Sequence, residues 1–381
     1  MKNKTDYSSI IRVGSSQIGA AKNCVFTTQR ILFGEIEKDF NKAFCLLNSI
    51  GIKNQNENFL ILLESNVNYR KSKKFKYIAI DTIDYSKAST ILSQIIDKKP
   101  FHVLSYEMRA IAKMSLSDFT GSMEDLNKAI ELDPNNVFSY TNRGGIKHRL
   151  KDYLGALDDC ARAIELDGNY ALPLANRGKA KSSLKDYKGA IEDYTKAIEL
   201  DPNFAMAFAD RGDAKLNLKD YNGAIEDCTK AIELNPTLAN AFYDRGKAKA
   251  ALKDYFGAIE DYTSTIETNP QLVYVLLYRG FAKLATEDYP GAVIDFTKVI
   301  EFNSNFAPAF YQRGRAKSKL SDYYGAIEDY SRAIDITPKF ANAYLNRAKA
   351  KKALNQIQQS EKDLKIYNSL SGINDDNQII F

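Results

Sequence analysis

Leu184 to Pro202 reads LKDYKGAIEDYTKAIELDP, and 34 residues later Leu218 to Pro236 reads LKDYNGAIEDCTKAIELNP. Prolines keep the same beat at 100, 134, 202, 236, 270 and 338, while Gly168 and Ser304 stand on the two beats between. A fixed period of about 20–50 residues marks a repeated unit that buries its apolar face only by stacking on its neighbours. Counting positions 1 to 34 gives eight units, beginning at Val103, Val137, Ala171, Ala205, Ala239, Val273, Ala307 and Ala341.

Within each unit the apolar residues recur at helical spacing over positions 3–14 and 20–30, which predicts two helices. Position 8 is glycine from Gly144 to Gly314, and position 20 is alanine from Ala156 to Ala326, so the helices can approach closely there. Position 17 is aromatic in seven units, from Phe119 to Tyr323, and fills the space around that approach. Aspartate at position 16 is placed to cap the second helix, because its carboxylate can accept backbone N–H groups left without a partner in the first turn. Proline at position 32 ends that helix.

This pattern of small residues, aromatics and prolines resembles the tetratricopeptide repeat and covers 103–374. The resemblance implies an all-α fold, a right-handed α-solenoid of helix-turn-helix repeats. Seven repeats over 103–340 are followed by an atypical capping repeat at 341–374, where Ile357, Ser360 and Tyr367 replace the expected Tyr, Ala and Ala, and by a tail at 375–381. A degenerate repeat at 69–102 keeps Asp84, Tyr85, Ala88 and Pro100 in register but has Lys76 at the glycine position, so only its second helix is expected with force. Residues 1–68 form an N-terminal region, helical over 25–50 and readable as another decayed repeat.

At 381 residues, with 44% apolar and 27% charged residues, the composition is that of a folded globular chain. The N-terminus lacks the apolar run of a signal peptide, and no stretch of about 18 apolar residues suits a membrane-spanning helix. A cytoplasmic protein is expected. Cys24, Cys45, Cys160 and Cys228 lack zinc-site spacing and read as reduced core residues. Residues 1–102 carry 16 Lys/Arg against 9 Asp/Glu, so the basic excess lies in the N-terminal region. It peaks at RKSKKFK over 70–76, which could meet phosphate on nucleic acid or acidic lipid but more commonly is a solvated loop.

Position 7 is arginine in all eight units, from Arg109 to Arg347, and position 23 is aspartate in the same eight, from Asp125 to Asp363. Charges that travel together on two helices of one hairpin are expected to pair, within a unit or across to its neighbour. Position 11 is lysine throughout, read as a solvated stem lying over the aromatic at 17.

Positions 2, 5, 6, 9, 12 and 13 of the first helix share one face, the face expected to line the groove of a solenoid. Position 6 runs Asn142, Asn176, Asp210, Asp244, Tyr278, Gln312 and Asn346, side chains able to hydrogen-bond an extended peptide. This resembles the asparagine rows of peptide-binding members of the family. In the sixth repeat Tyr274, Leu277, Tyr278, Phe281 and Leu284 form an apolar group, a binding hot spot if exposed and a packing or dimer surface if buried. A second group, Leu104, Met108, Ile111 and Met114, is expected to lie under the N-terminal region. The clamp with which chaperone-tail adaptors of this family hold a carboxylate needs lysine at position 5 of the first unit, and Glu107 stands there. With Asp210, Asp213 and Asp244 in mid-face, a basic or neutral segment is the expected ligand.

A phosphate-cradling Gly-Lys-Ser/Thr loop and a zinc-binding His pair are both missing, with His102 and His148 the only histidines. Acidic pairs such as Glu192 and Asp193 recur once per repeat and so are scaffold chemistry. The reading is a non-catalytic scaffold without cofactor or metal, binding a protein or extended peptide. The alternative is a regulatory protein contacting nucleic acid or an anionic surface through its basic N-terminal segment. Nucleic acid is not the expected partner, and neither the partner's identity nor an oligomeric state is written in the sequence.

Overall fold

A computed structural model describes residues 85–372, and among these seventeen α-helices follow one another without a strand. The chain divides after Pro202 into two compact units. The first holds α1 (Tyr85–Lys98), α2 (Val103–Ser115), α3 (Phe119–Leu132), α4 (Val137–Arg149), α5 (Tyr153–Leu166), α6 (Ala171–Ser183) and α7 (Tyr187–Leu200). The second holds α8 (Ala205–Asn217), α9 (Tyr221–Leu234), α10 (Ala239–Ala251), α11 (Tyr255–Thr268), α12 (Tyr274–Ala285), α13 (Tyr289–Phe302), α14 (Ala307–Lys319), α15 (Tyr323–Ile336), α16 (Ala341–Ala353) and α17 (Ile357–Ser371). Within each unit every helix packs on the next, which is the all-α tetratricopeptide-type solenoid expected. Helix α1 stands where the second helix of the degenerate repeat was expected. Its first helix, the helix over 25–50, the basic run at 70–76, Cys24, Cys45 and the tail lie outside the described residues.

The turn inside each repeat shows why the period is so strict. In the third repeat the N–H of Lys185 donates to the Ser182 carbonyl at 2.9 Å, and the N–H of Asp186 reaches back to the Lys181 carbonyl at 2.9 Å. These two bonds satisfy carbonyls at the end of α6 in the Schellman pattern and put Lys185 in the left-handed region at φ 66°. Asp186 then caps α7, its carboxylate accepting the Gly189 N–H at 3.0 Å. A Cβ on Gly189 would come within 2.3 Å of that carboxylate, so glycine at position 19 is a condition of the cap. The same aspartate caps all seven second helices from α3 to α15, whereas Gln356 before α17 makes no side-chain cap.

The residue at position 15 carries a conformational cost at every turn, since an L side chain in the left-handed region costs about 1–2 kcal/mol, less the greater chain entropy of glycine, about 0.5–1 kcal/mol. Lys219, at φ 64°, is therefore expected to gain from Lys219→Gly by about 0.5–1 kcal/mol. A rise in the urea midpoint checks this, and an unchanged or lower midpoint contradicts it.

Each repeat is cored by small residues. Ala190 and Ala197 in α7, like Ala224 and Ala231 in α9, are completely buried. Over the position-8 glycine lies the side chain of position 24. A Cβ on Gly178 would stand 2.9 Å from the Tyr194 ring, and one on Gly212 would stand 2.7 Å from the Cys228 sulfur. Cys160 and Cys228 are buried and unbridged, and burial pushes the Cys160 thiol up to about 12. No helix among the described residues is long and apolar enough to cross a membrane.

Candidate functional site

The Arg and Asp ladders meet within their own repeats. In all eight, the position-7 arginine donates through Nη2 to the position-23 aspartate at 2.5–2.7 Å. The lysine at position 11 corrects the expectation of a solvated stem. Its Nζ lies 2.8–2.9 Å from the other oxygen of the same aspartate. Positions 7 and 11 are one helical turn apart, so both cations reach one carboxylate. Burial alone would raise the Asp363 carboxyl, yet hydrogen bonds from Arg347 and Lys351 outweigh it and hold the group below its usual range. The arginine also ties repeats together, as Arg143 Nη1 donates to Asn127 at 2.8 Å and Arg279 Nη1 to Thr263 at 3.1 Å. These charges hold the hairpins and leave no basic ladder for a ligand.

In the first unit, the first-helix face carries Asn142 and Asn176, both half-buried. Asn142 Nδ2 donates to the Phe138 carbonyl at 2.9 Å, and Asn176 Nδ2 donates to the Thr141 carbonyl at 3.3 Å. Leu104, Met108 and Met114 on α2 are half-buried and Ile111 is buried.

In the second unit, Asn346 donates to the Tyr311 hydroxyl at 2.9 Å and Gln312 accepts from Arg315 at 2.8 Å. The apolar group of the sixth repeat separates into two kinds. Leu277, Tyr278, Phe281 and Leu284 are half-buried against the cores of neighbouring helices, with the Phe281 ring edge-on to Phe296 at 5.8 Å. Tyr274 is 47% exposed.

Around Tyr274 the structure gathers a tyrosine cluster beside carboxylates. Tyr243 on α10 meets Tyr274 edge-on at 5.4 Å and Tyr278 at 5.5 Å, over the fully buried Tyr262 on α11. Burial first, then the neighbouring Tyr278, raises the Tyr243 phenol. Next to it Asp244 is only 8% exposed. Its nearest cation is Lys247, at 3.6 Å from Oδ1, beyond hydrogen-bond length. The Lys247 ammonium stands over the Tyr243 ring at 5.0 Å. Burial, followed by the negative charge of Asp213, pushes the Asp244 carboxyl from 3.8 up to about 7, with Lys247 opposing and Asp210 adding.

Asp210, Asp213, Asp244, Tyr274 and Tyr278, all expected on the first-helix face, come together in the second unit. Lys247 was not foreseen among them, although position 9 shares a face with position 6 and so carried the signal. Among the described residues no group of three or more His, Cys, Asp or Glu is arranged to hold a metal ion.

The family model described as tetratricopeptide repeat matches residues 171–204 and 205–238, a second of the same description matches 104–136, and one described as TPR repeat matches 319–355. No curated protein matches the chain. Among solved structures, the APC/C hetero-tetramer Cut9-Hcn1 aligns at a TM-score of 0.54 and 14% identity, covering 83% of this chain and 60% of that one. YrrB, described as a TPR protein with an unusual peptide-binding site, aligns at 0.40 and 21% identity, covering 50% of this chain and 98% of its own. MamA from Desulfovibrio magneticus RS-1 aligns at 0.40 and 26% identity, over 43% of this chain and 93% of its own.

Proposed function

The chain belongs to the tetratricopeptide-repeat family, a class of protein-interaction scaffold, and we propose that it binds an extended protein segment on the first-helix face of its second unit, at Tyr274. In this reading it is a non-catalytic, cytoplasmic adaptor. The observation that carries the reading is one aromatic left 47% exposed on a wall of packed tyrosines. A large ring held in place by its neighbours gives a partner apolar contact at little entropic cost, which is why such rings anchor interfaces. Tyr278 packs within that wall, Leu277 and Phe281 lie on the same helix against the Phe296 core, and Gln312 and Asn346 would extend the face along α14 and α16. Asn142 and Asn176 would extend a polar face in the first unit.

Affinity capture from the source lysate, with Tyr274→Ala beside Phe256→Ala, tests the site. Phe256 is 73% exposed on a second helix and serves as the control. Loss of a defined partner by about tenfold or more with Tyr274→Ala, about 1.4 kcal/mol, and retention with Phe256→Ala is expected. Retention with Tyr274→Ala and loss with Phe256→Ala would move the site to the second-helix face.

A further inference from the structure

We infer that the partner segment presents a lysine or arginine whose charged end docks beside Asp244 and whose stem lies along Tyr274. The inference rests on the reading of this face as the docking surface and adds the chemistry of what it takes.

Three observations carry it. Asp244 is 8% exposed, and its ion pair with Lys247 is long, 3.6 Å from Oδ1, so the carboxylate has room for a closer cation. The protein already places one ammonium here, Lys247, over the face of Tyr243, which shows that the tyrosine wall suits a cation. The groups surrounding Asp244 give it a negative field, since Asp210 and Asp213 on α8 act against its ionisation more than Lys247 on α10 aids it. Tyr243, Tyr262, Tyr274 and Tyr278, from α10, α11 and α12, and Cys228 from α9 are the other titratable neighbours, and burial keeps Tyr243, Tyr262, Tyr274 and Cys228 protonated near neutrality. An incoming cation would give Asp244 a closer charge-assisted bond than its 3.6 Å pair with Lys247, and an incoming carboxylate would meet repulsion.

Binding would then be linked to a proton. A cationic side chain favours the ionised Asp244, so affinity should be highest above about pH 7 and fall as the pH drops through that value. Between pH 8 and pH 6 the ionised fraction falls about tenfold, and so should the affinity.

The test pans a random linear peptide library on the full-length chain, keeps the binders that Tyr274→Ala weakens, and replaces each Lys or Arg in them by norleucine. One replacement per peptide is expected to cost about tenfold or more in affinity. Asp244→Asn should cost the same factor for the parent peptide and nothing for its norleucine form, and it should flatten the loss between pH 8 and pH 6. Binders that depend on Tyr274 but tolerate norleucine at every basic position would overturn the cation and leave the docking surface standing. Binders none of which responds to Tyr274→Ala would overturn both.

Discussion

Asp261→Ala is expected to cost about 3–5 kcal/mol of stability, seen as a large fall in Tm by circular dichroism. Asp261 is 2% exposed and holds two cations at once. Arg245 Nη2 donates to it at 2.7 Å, and Lys249 lies 2.9 Å from its second oxygen. Arg245 also stacks on Phe242 at 5.6 Å and donates to Thr229 in the preceding repeat at 3.1 Å. Alanine leaves both cations half-buried with no carboxylate between them, and breaking a buried pair costs far more than the roughly 0–1 kcal/mol of an exposed one. Because the arginine ties one repeat to the one before it, the loss acts on the coupling between repeats as well as inside one. Glu260→Ala, at the exposed neighbouring position, should stay within about 0.5 kcal/mol of wild type. An unchanged Tm for Asp261→Ala would refute the triad as a stabilising element.

Asp244→Asn should act in the opposite direction. The Asp244 carboxyl titrates at about 7 in the folded chain against an ordinary 3.8, so the folded state holds this proton more tightly than the unfolded state does. Stability from this group is fully present below the ordinary value, declines as pH rises between the two values, and is lost above about 7. At pH 8 wild type therefore carries the whole cost, an upper bound of about 4 kcal/mol, because every pH unit between the two values is worth about 1.36 kcal/mol. Asparagine keeps the shape and removes the charge, and it also removes the attraction to Lys247, so a gain of about 1–3 kcal/mol at pH 8 is expected. Urea unfolding of the two proteins at pH 5, 6, 7 and 8 should show the gap widening with pH. A gap that is constant, or that favours wild type at pH 8, would contradict the buried carboxylate. A variant that is more stable yet binds less separates a binding role for Asp244 from a structural one.

The fold was legible because each repeat restates it: the glycine at position 8, the alanine at 20 and the aspartate cap at 16 carry the same instruction in nearly every unit. The Arg–Asp pairing was legible for a related reason, as two charges on different helices varied together by not varying at all. The lysine at position 11 was misread because spacing alone does not tell a solvated stem from a second cation sharing the same carboxylate. The left-handed residue at position 15 gave little signal, since lysine, serine and glutamate occupy it and only Asn355 is a residue type suited to that backbone.

The site was legible in residue types and not in exposure. Tyr274, Tyr278 and Asp244 stand on first-helix positions that spacing assigns to one face, so their company could be foreseen. Which of them is buried depends on side chains one repeat away, such as Tyr243 closing over Tyr262 and meeting Tyr278. Such contacts are set by the packing of successive hairpins. The same packing leaves Tyr274 as the member that faces outward.

Site-specific photocrosslinking from position 274 in source cells tests the docking face most directly, with position 256 as the control. The expected result is a covalent adduct to one defined protein from a photoreactive phenylalanine at 274 and none to that protein from 256. An adduct to that partner from 256 alone would contradict the account and place the interface on the second helices.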